Sequence, residues 1–282
     1  MQSRTTGGML QASSMQLVTI AFSHYNEKAR WGLDRFGVVY RERACLPLLH
    51  FPVVMWTTRF RGGRSDRVST RWSTPVLITD EGERLCDSSA IVRYADDRHG
   101  DEASTLYPRE HRAEIEALEQ RLHDRMGAHS RRVAYFHLLP ERALIAALAR
   151  NNVGSFQAAV FVRGLPLWSR VLRRALGIDR ARAEASAAKL RQEVAQLDER
   201  IGDRLGEGGY LVGDRFSAAD LTLACMLAPA LLPSQDEGYS AYLGRVDELP
   251  PAARALVEEM RQTRIGQHAL RMFAEERRRS PP

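Results

Sequence analysis

Residues 17–22 run Leu-Val-Thr-Ile-Ala-Phe and end at the polar segment Ser23-His24-Tyr25-Asn26, a pattern that predicts a short buried strand. Ala29, Leu33 and Phe36 then recur at helical spacing up to a stop at Gly37, predicting a helix over 27–36. Val38, Val39 and Tyr40 open a second strand over 38–44. Residues 45–73 carry Pro47, Pro52 and Gly62-Gly63; they predict a short helix over 53–60 followed by an exposed, mobile loop. Pro75-Val76-Leu77-Ile78-Thr79, a turn at Asp80-Glu81-Gly82 and Arg84-Leu85-Cys86 predict a hairpin. Asp87-Ser88-Ser89 supplies polar N-terminal groups for a helix with Ile91, Val92, Tyr94 and Ala95 on its apolar side.

Beyond about residue 105 the strand signals stop. Apolar positions three and four apart predict helices over 109–126, 140–149, 180–205, 218–232 and 251–276. Residues 151–177, with Phe156, Phe161, Leu165, Trp168 and Leu172, predict a buried helix pair; a membrane-leaning or ligand-facing amphipathic element is the competing reading. The fold class is α/β plus all-α. Its expected parts are a disordered tail over 1–15, an α/β domain over 16–100, a linker over 101–108, a helical domain over 109–276 and a second disordered tail over 277–282.

Composition narrows the class of molecule. The 282 residues are 44% apolar and 27% charged, the balance of a globular chain long enough for two domains. The net charge is +6, but 39 of the 41 basic residues are arginines dispersed among carboxylates, so no compact basic stripe marks nucleic acid as a partner. No apolar run approaches the ~18 residues that span a bilayer, and residues 1–14 lack a signal-peptide core; the expected location is cytoplasmic, without membrane association. Cys45, Cys86 and Cys225 are too scattered for a disulfide framework or a metal cluster, so no metal is expected. Cys86 and Cys225 read as core residues and Cys45 as exposed.

Ser23 stands where the first strand gives way to a helix. Unpaired N–H groups and the positive end of the helix dipole meet there, so a thiolate or carboxylate docked beside Ser23 is stabilised. Around it, Lys28 and Arg30 read as helix surface, Trp31 as packed on the helical domain and His24 as solvated.

Four segments, in this order, resemble the cytosolic glutathione transferase superfamily over roughly residues 16–276. Ser23-His24-Tyr25-Asn26 stands where glutaredoxin-like proteins carry Cys-Pro-Tyr-Cys and where the family keeps an activating Ser or Cys. Ser73-Thr74-Pro75-Val76-Leu77 is similar to the family's strand-opening segment, whose proline is cis. Asp87-Ser88 is similar to the acidic-Ser pair that holds the γ-glutamyl end of glutathione. Residues 210–220, Tyr-Leu-Val-Gly-Asp-Arg-Phe-Ser-Ala-Ala-Asp, resemble a late-helix signature in which Ser217 and Asp220 form a capping box and Phe216 and Leu221 a hydrophobic staple. The resemblance implies a thioredoxin-like N-terminal domain followed by a glutathione-transferase-type helical bundle.

It also implies a site. Ser23 is the expected catalytic residue, its hydroxyl donating to the glutathione sulfur and favouring the thiolate. Glutathione is expected against Ser23, Thr74, Pro75, Val76, Asp87 and Ser88, with the Thr74 backbone pairing to its peptide-like middle. Many members carry Lys or Gln two residues before the cis-proline; here that residue is Ser73, which leaves His50, Arg67 or Arg71 as candidates for the glycine carboxylate. The electrophile is expected between the domains, near Tyr25, His111, Ile115, Leu118 and Tyr135. With neither redox cysteine present, conjugation is favoured over thiol exchange. The implied activity is conjugation of glutathione, as co-substrate, to a small hydrophobic electrophile by a homodimer, as in detoxification. A non-catalytic binding or scaffolding protein is one alternative, and a glutathione-dependent isomerase, dehalogenase or peroxidase another.

Overall fold

The computed structural model describes residues 15–61, 72–206 and 208–277. Residues 1–14 and 278–282 of the expected tails, and the loop centre with Arg67 and Arg71, lie outside the described residues.

The first domain runs β1 (Gln16–Ile20), α1 (His24–Arg35), β2 (Arg41–Cys45), α2 (His50–Thr57), β3 (Val76–Ile78), β4 (Arg84–Leu85) and α3 (Ser88–His99). Its sheet has the order β2-β1-β3-β4, with β1 parallel to β2 and the other two pairings antiparallel. The parallel pair needs a crossover, and α1 provides it. Residues Leu17 and Val18 pair with Leu77 and Val76, so the apolar run read as a strand lies at the centre of the sheet. Met15, placed in the tail by the sequence reading, is buried against this core.

Two elements differ from the sequence pattern. The second strand begins at Arg41 rather than at residue 38, because Gly37 turns through φ +63° and the Val38 N–H closes α1 on the Leu33 carbonyl at 3.0 Å. The short helix begins at His50, with Pro52 in its first turn, where no intrahelical N–H is needed. Cys45, expected exposed, ends β2 and is buried.

The second domain is helical, as expected: α4 (Arg112–Leu122), a wider π-helical turn (His123–Gly127), α5 (Ala128–Leu138), α6 (Arg142–Asn152), α7 (Ser155–Arg163), α8 (Leu165–Leu176), α9 (Arg180–Gly206), α10 (Ala218–Leu231), α11 (Pro251–Gln262), α12 (Arg264–Met272) and a second π-helical turn (Phe273–Arg277). Of these, α10 is the central helix, buried along almost its whole length. Its start is fixed by Asp220, which accepts from the Ser217 N–H at 3.1 Å and the Ser217 hydroxyl at 2.8 Å, while its other oxygen accepts from the Leu211 N–H at 2.8 Å and meets His268 Nε2 at 2.9 Å. Phe216 and Leu221 lie in the same buried cluster. Trp31 joins them from α1, its ring 5.4 Å from Phe216 and 5.1 Å from Phe273.

The seam between the domains is charged. Lys28 and Arg30, expected on the surface, are buried because α1 lies between α3 and α10 and exposes no residue from Asn26 to Leu33. Lys28 Nζ donates to Glu119 Oε1 and Ser89 Oγ, each at 2.7 Å. Arg30 pairs with Glu27 at 3.2 Å and Glu42 at 3.3 Å and donates to the Ala21 carbonyl. Arg277, placed in the C-terminal tail by the sequence reading, pairs with Glu27 at 3.0 Å and Asp34 at 2.6 Å. Burial alone would raise the Glu27 carboxyl, but Arg277 and Arg30 outweigh it and hold it below its ordinary value.

The segment 151–177 is a helix pair with Ala158, Phe161, Leu165 and Leu172 buried against Leu46 and α6. It also reaches the first domain: Gln157 accepts from the Leu46 N–H at 2.8 Å and donates to the Ala44 carbonyl at 3.3 Å. Among the described residues no helix is long and apolar enough to cross a membrane.

Candidate active site

Where the two domains face each other they enclose a cavity of about 230 Å³. The first domain contributes the end of β1 with Phe22 to Tyr25, the approach to α2 with Leu48 and His50, and the turn at Ser73-Thr74. The helical domain contributes Arg131, Tyr135 and Leu138 from α5, Leu148 from α6, Leu172 and Leu176 from α8, and Pro229 from α10. Most of this wall is apolar, and among the described residues that line it there is no Asp or Glu.

Ser23 is the N-cap residue of α1, extended at φ −76° and ψ 129°, yet its hydroxyl makes no capping hydrogen bond. The Ser23 carbonyl receives the Asn26 and Glu27 N–H groups at 3.0 and 2.9 Å, as a helix start requires. The hydroxyl is therefore uncommitted to the helix, in a half-buried residue of the cavity wall. Beside it, the Thr74-Pro75 peptide is cis, and Asn26 Nδ2 donates to Thr74 Oγ1 at 3.3 Å, tying α1 to that turn. Pro75 and Val76 are buried directly behind Thr74.

At the start of α3, Asp87 Oδ1 accepts from the Ser89 N–H at 2.7 Å and the Ala90 N–H at 3.4 Å, which makes it the helix cap. The Ser88 hydroxyl is buried with no partner among the described residues. Neither residue lines the cavity itself.

His24 is buried, not solvated. Burial, with Arg131 nearby, lowers its pKa to about 3, against the opposing effect of a hydrogen bond to the Gly127 backbone. Its Nε2 has no partner among the described residues. The ring lies 4.1 Å from that of Tyr25, which in turn lies 4.9 Å from His123. Burial also lowers His50 to about 4, so at neutral pH it presents a neutral imidazole. Tyr135 is pushed up to about 12 by burial, opposed by Arg131, and stays a neutral hydroxyl.

Two domain descriptions match the chain: "Glutathione S-transferase, N-terminal domain" over residues 17–103 and "Glutathione S-transferase, C-terminal domain" over residues 180–258. The chain belongs to the glutathione S-transferase family. Among solved structures it is similar to a glutathione S-transferase of Ceriporiopsis subvermispora in complex with glutathione, at 16% identity and a TM-score of 0.56, covering 95% of this chain and 98% of that one. The β-etherase LigF of Sphingobium sp. strain SYK-6 follows at 16% identity and TM-score 0.54, covering 91% and 98%. A glutathione transferase of Phanerochaete chrysosporium is similar at 16% identity and TM-score 0.54, covering 94% and 96%. None of the curated proteins matches the chain in sequence. At these identities the likeness is one of fold, the thioredoxin-like domain followed by a helical transferase domain.

Against that family frame, the expected residues divide into three groups. Ser23, Tyr25, His50, Thr74 and Tyr135 share the cavity. His111 and Ile115 do not: His111 is the N-cap of α4 beside Gly213, and Ile115 is fully buried in the cluster around Trp31. Leu118 also packs on that cluster. The cavity wall begins one helix later, on α5, and Arg71 lies outside the described residues. The sequence reading missed Arg131 and took His24 as solvated, where it is buried. Arg131 precedes Tyr135 by four positions on α5, the spacing of one helix face, which is the signal that could have found it.

Proposed function

We propose that this protein is a glutathione transferase that joins the glutathione sulfur to a small hydrophobic electrophile, with Ser23 as the thiolate-stabilising catalytic residue. The observation that carries this is the Ser23 hydroxyl, uncommitted to its own helix, in the wall of an apolar cavity shared with Thr74. Free thiols titrate near about 8.5, so the ionised fraction at neutral pH is small. A hydroxyl donor together with the N–H groups of a helix start favours the anion. The thiol proton is lost to solvent, the sulfur forms a bond to an electrophilic carbon, and the leaving group departs with its electron pair; for an aryl chloride that is chloride.

Glutathione in this reading lies against the Thr74 backbone beside Pro75 and Val76, with its γ-glutamyl end toward Ser88 and Asp87 and its glycine carboxylate toward His50 or Arg71. The unpartnered Ser88 hydroxyl supports the γ-glutamyl end. Tyr25 and Tyr135 face the electrophile. The same reading has the protein act in the cytoplasm as a two-fold homodimer, and light scattering at micromolar concentration checks the dimer. Retention on immobilised glutathione, followed by turnover of 1-chloro-2,4-dinitrobenzene, tests the whole. Retention without turnover points to a glutathione-dependent activity of another type, and failure of both to a binding protein on the same fold.

A further inference from the structure

The cavity contains a cation for which the described residues supply no counter-charge. Arg131 is half-buried on α5, and among the described residues it has no hydrogen bond or ion pair. Its guanidinium lies over the face of Tyr25, 5.8 Å from the ring centre. Arg30, Arg121 and Arg277, by contrast, are each paired with a carboxylate. Arginine remains charged at any physiological pH, so a guanidinium facing an apolar chamber without a carboxylate leaves an unmet electrostatic demand. Nearby, His24 Nε2 is a buried polar atom without a partner, in a residue whose neutral ring is held by Gly127.

We infer that Arg131 binds an anionic group on the electrophile, so that the substrate class is an apolar, aryl- or alkyl-bearing compound carrying a carboxylate or another acid. The apolar walls, Leu138, Leu148, Leu172 and Leu176, take the hydrocarbon body. Arg131 takes the acid by a charge-assisted hydrogen bond, and His24 Nε2 accepts from a hydroxyl or N–H on the same ligand. Neutral hydrophobic electrophiles fill the chamber but leave the guanidinium unpaired, and so bind less well. This inference rests on the transferase reading for the reaction, but its binding half stands independently of turnover.

The experiment uses two matched pairs of probes on the full chain. The first is 1-anilinonaphthalene-8-sulfonate against neutral N-phenyl-1-naphthylamine, read by fluorescence without glutathione. The second is 4-chloro-3,5-dinitrobenzoate against its methyl ester, read as kcat/KM with glutathione. In Arg131→Met the ratio of anionic to neutral affinity is expected to fall by about tenfold or more, and Arg131→Lys to recover part of it. The acid-to-ester ratio of kcat/KM falls in parallel. Circular dichroism shows whether each variant is folded. An unchanged ratio in folded Arg131→Met, with both pairs, overturns the inference. If neither electrophile turns over while the fluorescence ratio falls as expected, the transferase reading fails and the anion site survives.

Discussion

Lys28 Nζ lies 2.7 Å from Glu119 Oε1, and both side chains are completely buried where α1 of the first domain meets α4 of the second. Glu119 also accepts from Arg93 at 3.1 Å and from the Tyr107 hydroxyl at 3.1 Å, so one carboxylate of the second domain gathers donors from the first domain and from the connection. Burial would raise that carboxyl; Lys28 and Arg93 outweigh it and keep it ionised. Removing one partner strands a charge without water, at a cost of about 3–5 kcal/mol. Lys28→Met should therefore destabilise far more than the double variant Lys28→Met/Glu119→Leu. Urea unfolding of the two variants checks this; equal losses would mean that the pair is not coupled.

Asp220 is the second structural centre. It satisfies the start of α10, the Leu211 N–H and His268 together, and these lie under the central helix. Asp220→Ala orphans all of them and should cost more than about 2 kcal/mol. Asp220→Asn keeps the acceptor oxygen and should lose less. The urea midpoints report both, and indistinguishable midpoints would deny Asp220 this role.

The buried histidines give the protein an early acid sensitivity. His24 titrates near about 3 and His50 near about 4 in the folded chain, both lowered chiefly by burial. An unfolded histidine takes its proton near about 6.5. Between those values the unfolded chain binds more protons, so stability falls as pH drops from about 6.5, before most carboxylates titrate. Urea midpoints between about pH 7 and about pH 5 should decline, and His24→Gln should flatten that decline. A slope identical to that of the parent chain would show that His24 does not carry it.

Gly127 permits the close approach of the domains at the cavity. A Cβ there would collide with the Tyr25 hydroxyl oxygen and stand 2.8 Å from Met226 Sδ. Gly127→Ala should cost about 1–3 kcal/mol and displace Tyr25 from the cavity wall. An altered KM for 1-chloro-2,4-dinitrobenzene beside a lowered melting temperature is the expected pair of changes. Preservation of both would show that Tyr25 can be accommodated elsewhere.

Much of the first domain was legible because its signals are local, the apolar run ending at Ser23 and Asp87 at a helix start, while the cis Thr74-Pro75 peptide was expected only from the family resemblance. What was not legible depends on partners distant in sequence. Lys28 reads as surface until Glu119, 91 positions later, is brought against it. His24 reads as solvated until α5 and the π-helical turn cover it; its hydrogen-bond partner is Gly127. The electrophile wall was misplaced because Ile115 packs with Trp31 in the core, a partner distant in sequence, while Arg131 and Tyr135 line the cavity from α5. Residues 151–177 form the expected pair of helices but not a wholly buried one: Phe156 is 82% exposed and Leu167 55%, while Leu172 and Leu176 also close the cavity.

The central claim is that Ser23 stabilises a glutathione thiolate, and the ionisation of bound glutathione tests it most directly. Ultraviolet thiolate absorbance of the complex, titrated against pH, should give a thiol pKa well below the free value of about 8.5. In Ser23→Ala the value should move back toward that of the free thiol, with kcat/KM for conjugation lower by about a hundredfold. An unshifted thiol in the parent protein, or a shift that survives Ser23→Ala intact, would contradict the account.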